Sequence, residues 1–188
     1  MKWQESDIFI DGYQHPLHSV GDPDLLKNRT LALLCSVKCP GSIILRTYDL
    51  MQDLRNENVT IISGFHSPME KECLKILLRG TCGIVICYAR SLPKHMPLEF
   101  KEPTNDGRLL LLSEYDDKHN RPTKEISTER NNLIASIADV LLVPYASPGG
   151  MVEEICGKAV AKGKSVLSFD YDLSSILAAI HIGDGDKP

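Results

Sequence analysis

The sequence has no apolar run approaching the roughly 20 residues that a bilayer-spanning helix needs, so no membrane association is expected. Its start, from Met1 to Ile10, carries Lys2, Glu5 and Asp7 before any apolar stretch and does not read as a secretory signal. Positive charge is not in excess. The formal net charge is −4, so the field of the whole molecule does not attract nucleic acid, and a phosphate backbone would have to meet a local basic patch. No two of the six cysteines (Cys35, Cys39, Cys73, Cys82, Cys87 and Cys156) form a CxxC pair, and no histidines accompany them at ligand spacing. Neither a metal nor a cofactor is therefore expected. Buried reduced thiols are the simpler reading, and they suit a cytoplasmic location. Internal repeats and low-complexity tracts are also missing.

What is present is ordinary globular composition: 188 residues, 43% hydrophobic and 24% charged, enough to bury one core. Short apolar runs recur at Thr30–Cys35, Val59–Ser63, Gly83–Tyr88, Leu109–Ser113, Val140–Val143 and Ser165–Phe169. They are near-continuous rather than alternating, as in strands covered on both faces. Helical segments are expected between them at about Ser42–Glu57, Ser67–Arg79, Ser127–Ala138 and Gly150–Lys162. Leu50, Met51 and Leu54, like Leu133, Ile134 and Ile137, have the spacing of a buried helix stripe. This alternation predicts an α/β fold: a doubly wound, mostly parallel Rossmann-like sheet with helices on both faces and right-handed crossovers. A single domain is expected over residues 1–182, with an N-terminal edge segment at 1–28 and a flexible tail at 183–188. Within the edge segment, Asp11-Gly12 signals the turn of a hairpin. Ser91 to Gly107 reads as a loop or strand cap, and Asp116 to Lys124 as a polar connection.

Ligands of open α/β sheets sit outside the carboxyl ends of strands, where helix N-termini present free N–H groups. Three segments fall at such ends. Cys35-Ser36-Val37-Lys38-Cys39-Pro40-Gly41-Ser42 follows the first core strand; Ser36 and Lys38 suit an anion, although an ordinary turn with Ser42 as cap explains the segment equally well. In Ser63-Gly64-Phe65-His66-Ser67-Pro68-Met69-Glu70, a capping box accounts for Ser67, Pro68 and Glu70. It leaves Gly64 and His66 to face a crevice together with Phe65. The third segment starts a helix with Arg130 and Asn131, where a bound phosphate would offset the cost of a cation at the positive helix end. Beyond it, Ser147-Pro148-Gly149-Gly150 leaves the sheet as a phosphate-cradling turn ahead of Glu153 and Glu154. Phe65 and Tyr145 are the rings placed to stack on a base.

Taken in order, Val20-Gly21-Asp22-Pro23-Asp24-Leu25-Leu26, Ser63-Gly64-Phe65, Leu112-Ser113-Glu114-Tyr115 and Glu129-Arg130-Asn131-Asn132-Leu133-Ile134-Ala135 resemble the Rossmann-type domain of the DprA/Smf DNA-processing proteins. The resemblance spans roughly Val20 to Asp170. It implies a non-enzymatic domain that binds single-stranded DNA or a nucleotide phosphate, with a recombinase-type protein partner and a possible homodimer. The family's Gly-Ser-Arg reads Cys35-Ser36-Val37 here, with Lys38 next in line, and the second arginine of its Arg-Asn-Arg reads Asn132. A second likeness is to the "lonely guy" phosphoribohydrolases, through Arg130, Pro148-Gly149-Gly150 and the Glu153-Glu154 pair. It implies cleavage of a nucleoside 5′-monophosphate, with Arg130 holding phosphate and Glu153 or Glu154 assisting at the sugar. The Gly-Thr of that motif is missing after Gly150. A nucleotide-sensing module is the third reading.

Overall fold

A strand covered on both faces must divide its side chains between two cores, and the strands of this chain do so residue by residue. The computed structural model describes residues 6–10, 16–116 and 121–169, with Ser175, Ala178 and Ala179. The strands are β1 (Ser6–Ile8), β2 (Leu17–Gly21), β3 (Thr30–Leu33), β4 (Thr60–Ser63), β5 (Gly83–Tyr88), β6 (Leu109–Ser113), β7 (Val140–Leu142) and β8 (Ser165–Leu167). The α-helices are α1 (Gly41–Leu54), α2 (Pro68–Leu78), α3 (Lys101–Asn105), α4 (Lys124–Ile137) and α5 (Met151–Ala161). Leu31, Leu33, Ile61, Ile84, Ile86, Leu109 and Leu111 point into a core closed by α1 and α2. Their neighbours Ala32, Ile62, Val85, Cys87, Leu110 and Leu112 point into a second core closed by α4 and α5. The doubly wound architecture is therefore the one the apolar runs predict.

The strands form one sheet in the order β1-β2-β6-β5-β4-β3-β7-β8. From β6 to β8 all pairings are parallel, whereas β2 runs antiparallel to both β6 and β1. The hairpin expected at the N-terminus is thus an added edge on β6; its Asp11-Gly12 turn lies outside the described residues, as does the tail at 183–188. After β3 the chain builds outward through β4, β5 and β6, then returns to place β7 on the other side of β3. Strand order reverses there, so the crevice of the fold opens outside the carboxyl ends of β3 and β7.

Both ends of the β3–β7 pair are clasped. At the amino end, Asp139 Oδ2 accepts from Thr30 N and Thr30 Oγ1, both at 2.8 Å, and the Asp139 amide donates to Thr30 Oγ1 at 2.9 Å. At the carboxyl end, the Ser36 amide donates to the Tyr145 carbonyl and the Ser147 amide to Ser36 Oγ, each at 2.9 Å.

Two expectations need correction. Helix α4 begins at Lys124 rather than Ser127, because Thr123 Oγ1 caps it by accepting from the Ile126 amide at 3.3 Å. Arg130 and Asn131 consequently sit in the second turn, beyond the strong part of the helix dipole, and the cost assigned to a cation at the helix start does not apply. The segment Ser91 to Gly107 is not purely a loop: a 3-10 turn at Leu98–Phe100 runs into α3, anchored by Phe100 and Pro103, both buried.

Candidate functional site

The crevice has a volume of about 530 Å³ and is built from the loops after β3, β4 and β7 and one side of α4. Ser36 and Lys38 come from the first loop, His66 and Ser67 from the second, Ser147 and Gly150 from the third, and Arg130 and Asn131 from the helix. These expected residues are therefore neighbours in space. Thr123, Lys124 and Ser127 add a cation and two hydroxyls beyond the expected residues.

Arg130 is the centre of this arrangement. Its side chain is only 6% exposed, and it reaches across the sheet to the end of β5, where Nη1 donates to the Cys87 carbonyl at 3.4 Å. Gly64 is what lets it pass: a Cβ there would lie 1.8 Å from Arg130 Nη1. Nε donates to Asn131 Oδ1 at 2.8 Å, and Asn131 Nδ2 approaches the Met151 sulfur at 3.2 Å, so Asn131 positions the guanidinium. Burial lowers the pKa of Arg130, and the charge of Glu70 offsets this only in part. Among the described residues, no carboxylate comes within ion-pair distance of it. The adjacent Glu129 turns away and accepts the Tyr115 hydroxyl.

The loop over Arg130 is held by the capping box. Ser67 Oγ accepts from the Glu70 amide at 3.2 Å, and Glu70 Oε2 accepts from the His66 and Ser67 amides at 3.0 and 2.9 Å. Phe65 adopts φ 43°, a left-handed conformation unusual for a bulky residue. Its side chain is buried, at 5% exposure, while His66 is exposed on the rim. Phe65 is therefore a floor residue rather than an open stacking face, and Tyr145 likewise packs against the α1–α2 core.

Other expected residues are not at the crevice. Ser63 is fully buried, and its Oγ accepts from the Phe65 amide at 3.2 Å. Pro148 and Gly149 lie on the outer side of their turn and do not line the cavity. The turn offers no free amides at its glycines: Gly149 donates to Glu153 Oε2 at 2.7 Å, and Gly150 to the Ser147 carbonyl at 2.9 Å. Glu153 is thus occupied as a cap, while Glu154 is exposed and pairs with Lys158 at 2.7 Å. Neither carboxylate lines the cavity; both stand in the first turn of α5.

A second cavity of about 460 Å³ adjoins the first and shares His66, Pro122 and Arg130 with it. Lys71 and Lys75, one turn apart on α2, and Arg90 beyond β5 lie along it. The i,i+4 spacing of the two lysines is the signal by which the sequence marks them as one face of the helix. Lys75 is also paired with Glu72 at 2.6 Å. Together the cavities place Lys38, Lys71, Lys75, Arg90, Lys124 and Arg130 along one side of an otherwise acidic molecule.

The sequence model of DNA recombination-mediator protein A matches residues 9–175. The chain belongs to that family. Among solved structures, it is similar to DNA processing protein A from Helicobacter pylori, whose structure describes a unique single-stranded DNA binding mode. The TM-score is 0.71 at 20% identity, over 88% of this chain and 80% of that one. It is also similar to DNA processing protein A (DprA) from Streptococcus pneumoniae, with a TM-score of 0.71 at 23% identity over 99% of this chain and 70% of that one. At these identities the likeness to the two structures shows a shared DprA fold. No curated protein sequence matches the chain.

Proposed function

We propose that this member of the DprA family binds single-stranded DNA through its phosphate backbone, in the crevice outside β3 and β7, and does so without hydrolysing it. The observation that carries this reading is Arg130. A buried guanidinium that meets no carboxylate within ion-pair distance among the described residues, and whose burial the charge of Glu70 offsets only in part, gains from a phosphate held beside it. Lys38, Lys124 and the hydroxyls of Ser36 and Ser127 supply further contacts of the kind that position a backbone. The Helicobacter pylori relative, described as binding single-stranded DNA, supports the same ligand. Glu153 and Glu154 are engaged elsewhere, which favours binding over glycosidic cleavage.

The test is fluorescence anisotropy with a labelled single strand over a salt series. The wild-type affinity is expected to fall linearly on a log–log plot. Lys38→Ala should reduce that slope by about one, and Arg130→Ala should weaken binding uniformly across sequences. Salt-independent binding, or binding untouched by both substitutions, would overturn the proposal. On the same family likeness we propose a recombinase-type partner and pairing of two copies. Among the described residues no helix is long and apolar enough to cross a membrane, and the free thiols fit a reducing cytoplasm.

A further inference from the structure

We propose that His66 is a proton-dependent phosphate contact, so that a strand seated against Arg130 takes up a proton as it binds. The inference rests on the single-stranded DNA reading and adds to it a cation that exists only while the imidazole is protonated. Histidine ordinarily changes its charge between pH 5 and 8, and its surroundings decide which form it takes.

The backbone sets the place of this side chain. The His66 amide donates to Glu70 Oε2 at 3.0 Å, and the preceding Phe65 is buried with φ 43°. His66 itself is exposed and lines both cavities, as Arg130 does. Among the described residues, no carboxylate lies within ion-pair distance of its imidazole. Glu70, the acidic residue closest in sequence, spends Oε2 on the His66 and Ser67 amides.

The charges around His66 are mostly positive. Lys38 comes from the loop after β3, Lys71 from α2, and Lys124 and Arg130 from α4. Along the second cavity stand the cations Lys75 and Arg90 and one carboxylate, Glu99. In the free protein such cations oppose a further positive charge on the ring. A phosphate in the crevice reverses the balance, because an anion favours the protonated imidazole and accepts its N–H groups. Proton and strand therefore favour each other's binding by the same factor.

No other side-chain type at the two cavities ordinarily changes charge in this window. Lysine and arginine keep their protons through it, and carboxylic acids lose theirs below it. Burial pushes up the Cys35 thiol and takes the Tyr88 hydroxyl to about 12. His18 pairs with Asp7 at the sheet edge, and neither it nor His95 lines a cavity.

The experiment is anisotropy with an oligothymidylate that lacks terminal phosphates, so that the strand itself does not titrate. Binding is measured over a salt series at about pH 5.5 and about pH 8, which bracket the change of an imidazole. The wild type is expected to bind about fivefold tighter at the lower pH, the scale of one exposed ion pair. Its salt slope should steepen there by about 0.7, one more phosphate neutralised on a single strand. In His66→Gln the affinity ratio between the two pH values should fall to about one, since no titrating ring remains. His66→Lys makes the charge permanent, so its ratio should also be about one, with the steeper slope at both pH values. Calorimetry of the wild type in two buffers of different ionisation enthalpy should show proton uptake on binding, which a merely structural side chain does not produce. His66 is exposed, so both variants are expected to keep the wild-type melting temperature. Wild-type affinity that ignores pH, or a pH dependence that survives in His66→Gln, would overturn the proposal and leave the DNA reading standing. Absence of salt-dependent binding at both pH values would overturn the two together.

Discussion

Gly64 and Arg130 are a single unit in physical terms, because the guanidinium occupies the space where a side chain at position 64 would stand. Gly64→Ala would set a methyl 1.8 Å from Nη1, so the guanidinium must leave its place against the Cys87 carbonyl. We expect single-stranded DNA affinity in Gly64→Ala to fall towards that of Arg130→Ala, at a stability cost on the order of 1–3 kcal/mol. Anisotropy and thermal melting measured on one preparation separate the two effects. A variant that binds as well as wild type would show that Arg130 acts from another position. Residue type made Lys38 and His66 legible as candidates, since each is a cationic or titratable group after a strand end, and Arg130 was legible as a cation of the segment that forms α4, although not at its start. Which partner a group finds was not legible. The Gly149 amide looks available to a phosphate in the sequence, yet it donates to Glu153, and Asn131 spends its amide on Arg130 and Met151. Phe65 illustrates the same limit: neither its φ of 43° nor the burial of its ring is written in the residue type.

At the scale of elements, the loop above Arg130 depends on the start of α2. Ser67 is buried and forms both halves of the capping box with Glu70. Ser67→Ala should cost about 1 kcal/mol, read as a lowered melting temperature. Because Glu70 also holds the His66 amide, the substitution should loosen the loop and weaken DNA binding as well. A full-strength binder with a lowered melting point would show that the loop keeps its shape without the cap. This helix start was readable because a capping residue, a proline and a glutamate stand in sequence. The start of α4 was not, since Thr123 lacks a glutamate or glutamine at the third helical position and has Ile126 there instead. The strands were the most legible elements. Their near-continuous apolar runs reflect burial on both faces, a property of composition rather than of any particular partner. The short 3-10 turn and α3 were hidden because Pro, Lys and Glu dominate that stretch, and only Phe100 and Pro103 anchor it to the core.

For the molecule as a whole, buried thiols set an alkaline limit. Burial pushes the pKa of Cys73 up to about 12, of Cys82 to about 11 and of Cys87 to about 12, from an ordinary value of 9.0. It likewise raises Tyr88 to about 12 from 10.0. In the unfolded chain these groups lose protons at lower pH than in the folded one. Above about pH 9 the unfolded state therefore binds fewer protons, and stability falls as pH rises. Melting temperatures taken from neutral pH upward should decline beyond that point, with thiol reagents labelling Cys73, Cys82 and Cys87 only as the chain unfolds. A flat profile would mean that these thiols ionise as readily folded as unfolded. The clasp that joins Ser36 to Tyr145 and Ser147 bears on a different quantity, the entropy of binding. Because those bonds form when β3 and β7 pair, the crevice loops are already ordered when a ligand arrives. The conformational freedom of these loops is surrendered in folding, so an incoming strand has chiefly its own disorder to lose.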